Sequence, residues 1–99
     1  MAYTVEFAQS VEGHFRTLTT RERTTVLDAI RRQLLHEPMK ETRNRKPLRP
    51  NPIAPWELRV GHLRVFYEVA GAESGVVRIL AVGRTGRRAL VIGGKEVEL

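Results

Sequence analysis

The sequence predicts an α+β fold: a small antiparallel β-sheet in the order β-α-α-β-β-β, with a helical hairpin packed on one face. Three observations carry this. Residues 19–34 show apolar side chains at helical spacing behind a capping signature. Residues 56–69 hold two alternating runs joined by a two-residue glycine turn. Residues 76–82 form a nearly unbroken apolar run. The chain has 99 residues, so residues 1–99 are read as a single domain, because half that length would not build a core.

The elements follow in order. Tyr3-Thr4-Val5-Glu6-Phe7 alternates with period two and is rich in strand formers, so it reads as a short first strand. Ser10 is a candidate cap for a first helix, on which Val11, Phe15 and Leu18 fall on one face. Gly13 weakens that helix by up to ~1 kcal/mol relative to alanine, so it requires tertiary support. Thr19 and Glu22 have the spacing of a capping box. Behind it Val26, Ile30 and Leu34 form a stripe widened by Leu27, and His36-Glu37-Pro38 ends the helix.

Residues 38–55 contain all five prolines, at 38, 47, 50, 52 and 55, interleaved with Lys40, Arg43, Arg45, Lys46 and Arg49. A fixed φ and a missing N–H bar proline from helix interiors and central strands, so this segment reads as an extended basic loop suited to binding. Gly61-His62 between Val60 and Leu63 predicts a type II′ hairpin, pairing Arg59 with Arg64, Leu58 with Val65 and Trp56 with Tyr67. Trp56, Leu58, Val60, Leu63, Val65 and Tyr67 then face the helices, and Glu57, Arg59, Arg64, Phe66 and Glu68 face away. Val76 to Val82 is apolar on both faces apart from Arg78, as a well-covered strand requires. Residues 83–88 read as a basic loop, residues 89–92 as a short strand or helical turn broken by Gly93-Gly94, and residues 95–99 as a tail.

Charge and composition limit the function. Lys and Arg total 17 against 11 acidic residues, a net charge of +6, and the pI is near 10.8. Residues 1–39 carry five of each sign, so residues 40–99 hold twelve basic and six acidic residues and all of the excess. A basic half on a neutral half points to a polyanionic partner. The absence of cysteine excludes disulfides, thiolate metal sites and thiol catalysis. The longest purely apolar runs have four residues, so no membrane partner is expected, and no secretory signal is seen. The cytoplasm is the expected location. His14, His36 and His62 lack metal-ligand spacing, no Walker phosphate loop or GxGxxG occurs, and Ser10 and Ser74 lack a nucleophile context. No metal or cofactor is expected.

What remains is arginine. Arg59 opposite Arg64 sets like charges across a hairpin, an arrangement relieved by Glu57 and Glu68 or by a bridging anion. Guanidinium forks suit phosphate oxygens, and Phe66 on the same face offers a stacking surface for single-stranded nucleic acid. Arg84, Arg87 and Arg88 are placed to close over that face from the next loop, and Lys46 and Arg49 to approach from the proline-rich segment. Metal-free transphosphorylation, with an RNA 2′-hydroxyl as nucleophile, fits such a site.

The order of elements, with WELRVGHLRVFYEV followed by VVRILAVGRTGRRALVIGG, resembles the RelE/ParE superfamily of bacterial type II toxin–antitoxin systems. The resemblance implies a RelE-like toxin neutralised by a cognate antitoxin protein. Its implied activity is ribosome-dependent cleavage of messenger RNA, inhibiting translation. On that reading Arg59, Arg64, Arg84, Arg87 and Arg88 are catalytic, and Lys46, Arg49 and Phe66 bind RNA. Arg64 matches the family's hairpin arginine, Arg59 the basic residue of the preceding strand and Arg49 the arginine after leucine in the upstream loop. The sequence departs from the RelE branch where a C-terminal tyrosine is found, since Val91 stands there. The ParE branch, whose members inhibit DNA gyrase without cleavage, is the alternative. A third is an inert basic module that binds only an antitoxin.

Overall fold

A computed structural model describes residues 3–71, 75–86 and 89–98. Arg87 and Arg88 lie outside them. The element order is β1 (Thr4–Phe7), α1 (Gln9–Arg16), α2 (Thr20–Gln33), β2 (Arg45–Pro47), β3 (Trp56–Val60), β4 (Leu63–Ala70), β5 (Val76–Thr85), β6 (Leu90–Ile92) and β7 (Lys95–Val97). The strands form one sheet in the order β2-β3-β4-β5-β6-β7, with β1 beside β5. The fold is α+β with the helical hairpin on one sheet face, as the sequence predicts.

The hairpin register is the predicted one: Trp56 pairs with Tyr67, Leu58 with Val65, Arg59 with Arg64 and Val60 with Leu63. Gly61 takes φ +59°, the left-handed value that a II′ turn requires at its first position and that glycine adopts without strain. The rings of Trp56 and Tyr67 stack across the strands, with centroids 6.1 Å apart. Tyr67 is fully buried and donates its hydroxyl to the Pro38 carbonyl at 2.6 Å. Burial pushes the pKa of that phenol far above its ordinary value.

Thr19 and Glu22 form the predicted capping box, Glu22 N–H donating to Thr19 Oγ1 at 3.0 Å and Thr19 N–H to Glu22 Oε1 at 2.9 Å. Val26, Ile30 and Leu34 are each at most 3% exposed, so each contributes roughly 1.5–3 kcal/mol of burial. With Val11, Leu18, Leu58, Leu63, Val65, Tyr67, Val77, Ile79 and Val82 they make the core between helices and sheet.

Several expectations are corrected. Ser10 is inside α1; the N-cap is Ala8, without a side-chain bond. Leu27 stands 41% exposed rather than widening the buried stripe. The second helix ends at Gln33, before His36, and Arg45 reaches back to donate to the Gln33 carbonyl at 2.5 Å and to the Lys40 carbonyl at 3.1 Å. A guanidinium there satisfies a helix-terminal acceptor and complements the dipole. The proline-rich segment contains an edge strand, β2, paired antiparallel with β3. Residues 95–97 pair with β6 instead of forming a tail. The first strand runs parallel to β5, from which both helices and strands β2 to β4 separate it in the chain, so the antiparallel sheet has one parallel neighbour.

β5 organises the sheet. One edge pairs with β4. The other pairs with β1 through Ile79 and then with β6 from Gly83. In the gap between, the Val82 N–H is accepted by His14 Nδ1 of α1 at 3.3 Å.

A second apolar cluster lies on the sheet face away from the helices. Ala54, Phe66, Ala81 and Ile92 are buried there beneath Leu48, Ile53, Leu80, Leu90 and Val97. The loop that covers it is built on Asn51. Its Oδ1 accepts from the N–H groups of Ile53 and Ala54 at 2.8 and 3.0 Å, and its Nδ2 donates to the carbonyls of Arg49 and Ala54 at 2.7 and 2.9 Å. Prolines at 50, 52 and 55 restrict the same loop further.

Candidate nucleic-acid interface

Strand alternation decides which side chains share the solvent-side face of the sheet. Lys46 is opposite Glu57, Glu57 opposite Phe66, and Arg59 opposite Arg64. These residues therefore lie on one face, the opposite side from Leu58 and Val65. At the hairpin end Arg59, Glu57 and Arg64 form one constellation. Arg59 Nε donates to Glu57 Oε1 at 2.7 Å, and Arg64 Nε lies 3.8 Å from the same oxygen. Glu57 is the buried charged residue among the described residues, at 6% exposure, while the Arg59 side chain is half exposed.

The carboxylate explains how two arginines tolerate facing positions. It sits between them and offsets their repulsion. Arg64 is further held by the turn, its Nη1 donating to the carbonyls of Gly61 at 2.7 Å and Leu63 at 2.8 Å. Both guanidiniums are thus oriented through some of their N–H groups. Both Nη groups of Arg59 and Nη2 of Arg64 make no hydrogen bond among the described residues. Fixed forks with free donors are what a phosphate oxygen requires.

The other predicted site residues are distributed differently. Phe66 is fully buried under the Asn51 loop, so it packs the second apolar cluster and offers no stacking surface. Arg84 pairs in register with Leu63 and so projects to the helix face. There its Nη2 donates to the Thr17 carbonyl at 2.6 Å and to Glu22 Oε1 at 3.1 Å. It therefore does not close over the face that holds Arg59 and Arg64. Lys46 lies on that face, 3.9 Å from exposed Glu41. Arg49 is exposed on the Asn51 loop, beside a groove that also touches Glu68 and Leu80. Val91 is in β6 opposite Arg84.

Glu22 joins three elements on the helix side. It completes the capping box, bonds Arg84, and takes His62 Nε2 of the hairpin turn at 2.8 Å through Oε2. The Thr19 backbone bond and the His62 bond hold its carboxyl below the ordinary value. Neither His62 nor Glu22 stood out in the sequence as a partner of the other, since forty residues separate them.

No group of three or more His, Asp or Glu side chains able to hold a metal ion occurs among the described residues. No helix there is long and apolar enough to cross a membrane.

A helical hairpin packed on one face of this sheet is the architecture of the RelE/ParE toxins of type II toxin–antitoxin systems. The family model described as the ParE toxin of the type II toxin–antitoxin system parDE matches residues 2–89, and the chain belongs to this family. Among solved structures, the toxin–antitoxin complex RelBE2 from Mycobacterium tuberculosis contains a similar chain, at a TM-score of 0.72 and 28% identity, covering 86% of this chain and 100% of that one. No curated protein matches the chain.

Proposed function

We propose that this toxin binds messenger RNA in the ribosome and cleaves it by metal-independent transphosphorylation, and that a cognate antitoxin protein neutralises it. One observation carries the reading: Arg59 and Arg64 are fixed side by side on a rigid hairpin, with free Nη donors and a carboxylate between them. In the reaction the RNA 2′-oxygen attacks the adjacent phosphorus, the bond to the 5′-oxygen breaks, and a 2′,3′-cyclic phosphate forms. Negative charge grows on the phosphoryl oxygens in the transition state, where preoriented guanidiniums stabilise it more than in the ground state. Lys46 and exposed Arg49 supply further phosphate contacts. The antitoxin partner is supported by the family and by the complex that contains the similar chain.

A second reading, inhibition of DNA gyrase without cleavage, is favoured by two observations. The matching family model is that of parDE toxins, and no tyrosine follows Tyr67 in the sequence, where the resemblance to the nuclease branch implies one at the place of Val91. One experiment separates the two. Purified toxin is added to a cell-free translation reaction and message ends are mapped by primer extension, beside a supercoiling assay with gyrase. Codon-positioned cuts that disappear in Arg64→Ala support the nuclease. Intact message with blocked supercoiling replaces it with the gyrase reading.

A further inference from the structure

We infer that Glu57 is the general base of the cleavage reaction, accepting the proton of the attacking 2′-hydroxyl; this rests on the nuclease reading above. The starting point is an unusual location for a carboxylate. Glu57 is 6% exposed, on a strand face where the Arg59 side chain is half exposed and that of Arg64 17% exposed. A buried carboxylate is costly unless it is paired and hydrogen-bonded. If its task were only to neutralise arginines, an exposed residue would do it, as Glu68 does for Arg78 at 3.1 Å with both side chains more than a third exposed.

The geometry gives the second oxygen a different role. Oε1 takes the contacts from Arg59 and Arg64, and Oε2 accepts no hydrogen bond among the described residues. Oε2 is also not fully enclosed by the protein. It therefore keeps some access to solvent, with its lone pairs free. One oxygen anchors the carboxylate, and the other is available to a hydroxyl held by the same two arginines. A phosphate seated on the free Nη groups brings its neighbouring ribose to this side of the pair. Proton, electron pair and leaving group then balance. The 2′-O–H bond breaks and its proton passes to Oε2. The 2′-oxygen bonds phosphorus, the P–O5′ bond breaks, and the departing 5′-oxygen takes a proton from water. Glu57 returns its proton to solvent.

The test compares wild-type toxin with Glu57→Gln on a defined message in the cell-free translation reaction, across a range of pH, with melting curves for both. Glutamine keeps the shape and the acceptor for Arg59 but is not a base. The expected result is a loss of about 10²–10⁴-fold in cleavage rate, with ribosome binding retained and the acid limb of the pH profile gone. Should Glu57→Gln fail to fold, Glu57→Asp keeps the charge but withdraws the oxygens by one methylene. It is expected to cut more slowly while keeping the acid limb. Cleavage by either variant at the wild-type rate or faster overturns the inference and leaves the nuclease reading standing. A wild-type protein that leaves the message intact overturns both.

Discussion

His14 accepts the backbone N–H of Val82 through Nδ1 at 3.3 Å, filling the gap between β1 and β6 on the edge of β5. An acceptor nitrogen carries no proton, so this bond exists only for the neutral ring, with its proton on Nε2. Burial lowers the pKa of His14 below 6.5. The unfolded chain therefore takes up this proton before the folded chain does. The stability that depends on His14 is complete above pH 6.5 and is lost as the pH falls through the folded value. The urea midpoint is expected to drop between about pH 7 and about pH 5, and His14→Ala to flatten that part of the curve. An unchanged slope in the variant refutes the role given to the imidazole.

Phe66 separates packing from recognition. It is fully buried in the second apolar cluster, so Phe66→Ala is expected to cost about 3–5 kcal/mol. Phe66→Leu, which keeps most of the apolar volume, is expected to retain wild-type affinity for a fluorescent single-stranded RNA. Loss of affinity in a well-folded Phe66→Leu protein contradicts the buried position.

Asn51 holds the covering loop by four side-chain bonds. Asn51→Ala removes them together and leaves the Ile53 and Ala54 N–H groups without their acceptor. At about 1 kcal/mol per net bond, with coupling between them, a loss of roughly 2–4 kcal/mol is expected. Hydrogen exchange localises it: the amides of Ile53 and Ala54 should exchange faster than those of β3. Uniform acceleration across the sheet argues against a local role.

Arg84 and Glu22 tie the end of β5 to the start of α2 at 3.1 Å. Arg84→Ala is expected to lower the melting temperature and, on the nuclease reading proposed above, to leave the message-cutting rate per folded molecule near wild type. The Glu22 contribution has its own pH dependence. Its carboxyl titrates lower in the folded state, so that stability is present above pH 4.5 and is lost as acid protonates it. A cleavage defect in Arg84→Ala without a change in melting temperature returns this residue to the active site.

Much of this molecule is readable from local pattern. The period of two in residues 56–60 and 63–69, with glycine at the only turn position needing positive φ, is enough to pair Arg59 with Arg64 and to sort the helix-facing side chains from those on the opposite face, though not to show that Phe66 and Glu57 are buried there. Thr19 and Glu22 mark the start of α2 through a three-residue relation, so that end is legible as well. The end of α2 is not, because the carbonyl of Gln33 is satisfied by Arg45, twelve residues on and across a loop. Nor is the strand at 95–97, where only pairing with β6 makes three residues extended.

By itself, then, the sequence determined the helices, the hairpin, its register and the face on which the arginines stand, because neighbour-to-neighbour sterics and periodicity decide those. Only the tertiary structure decided which cations remain available. It turned Arg84 to the helices, covered Phe66 with the Asn51 loop, and seated Glu57 beneath Arg59 and Arg64. Burial and ion pairing depend on what arrives from distant parts of the chain, and no local spacing encodes that arrival.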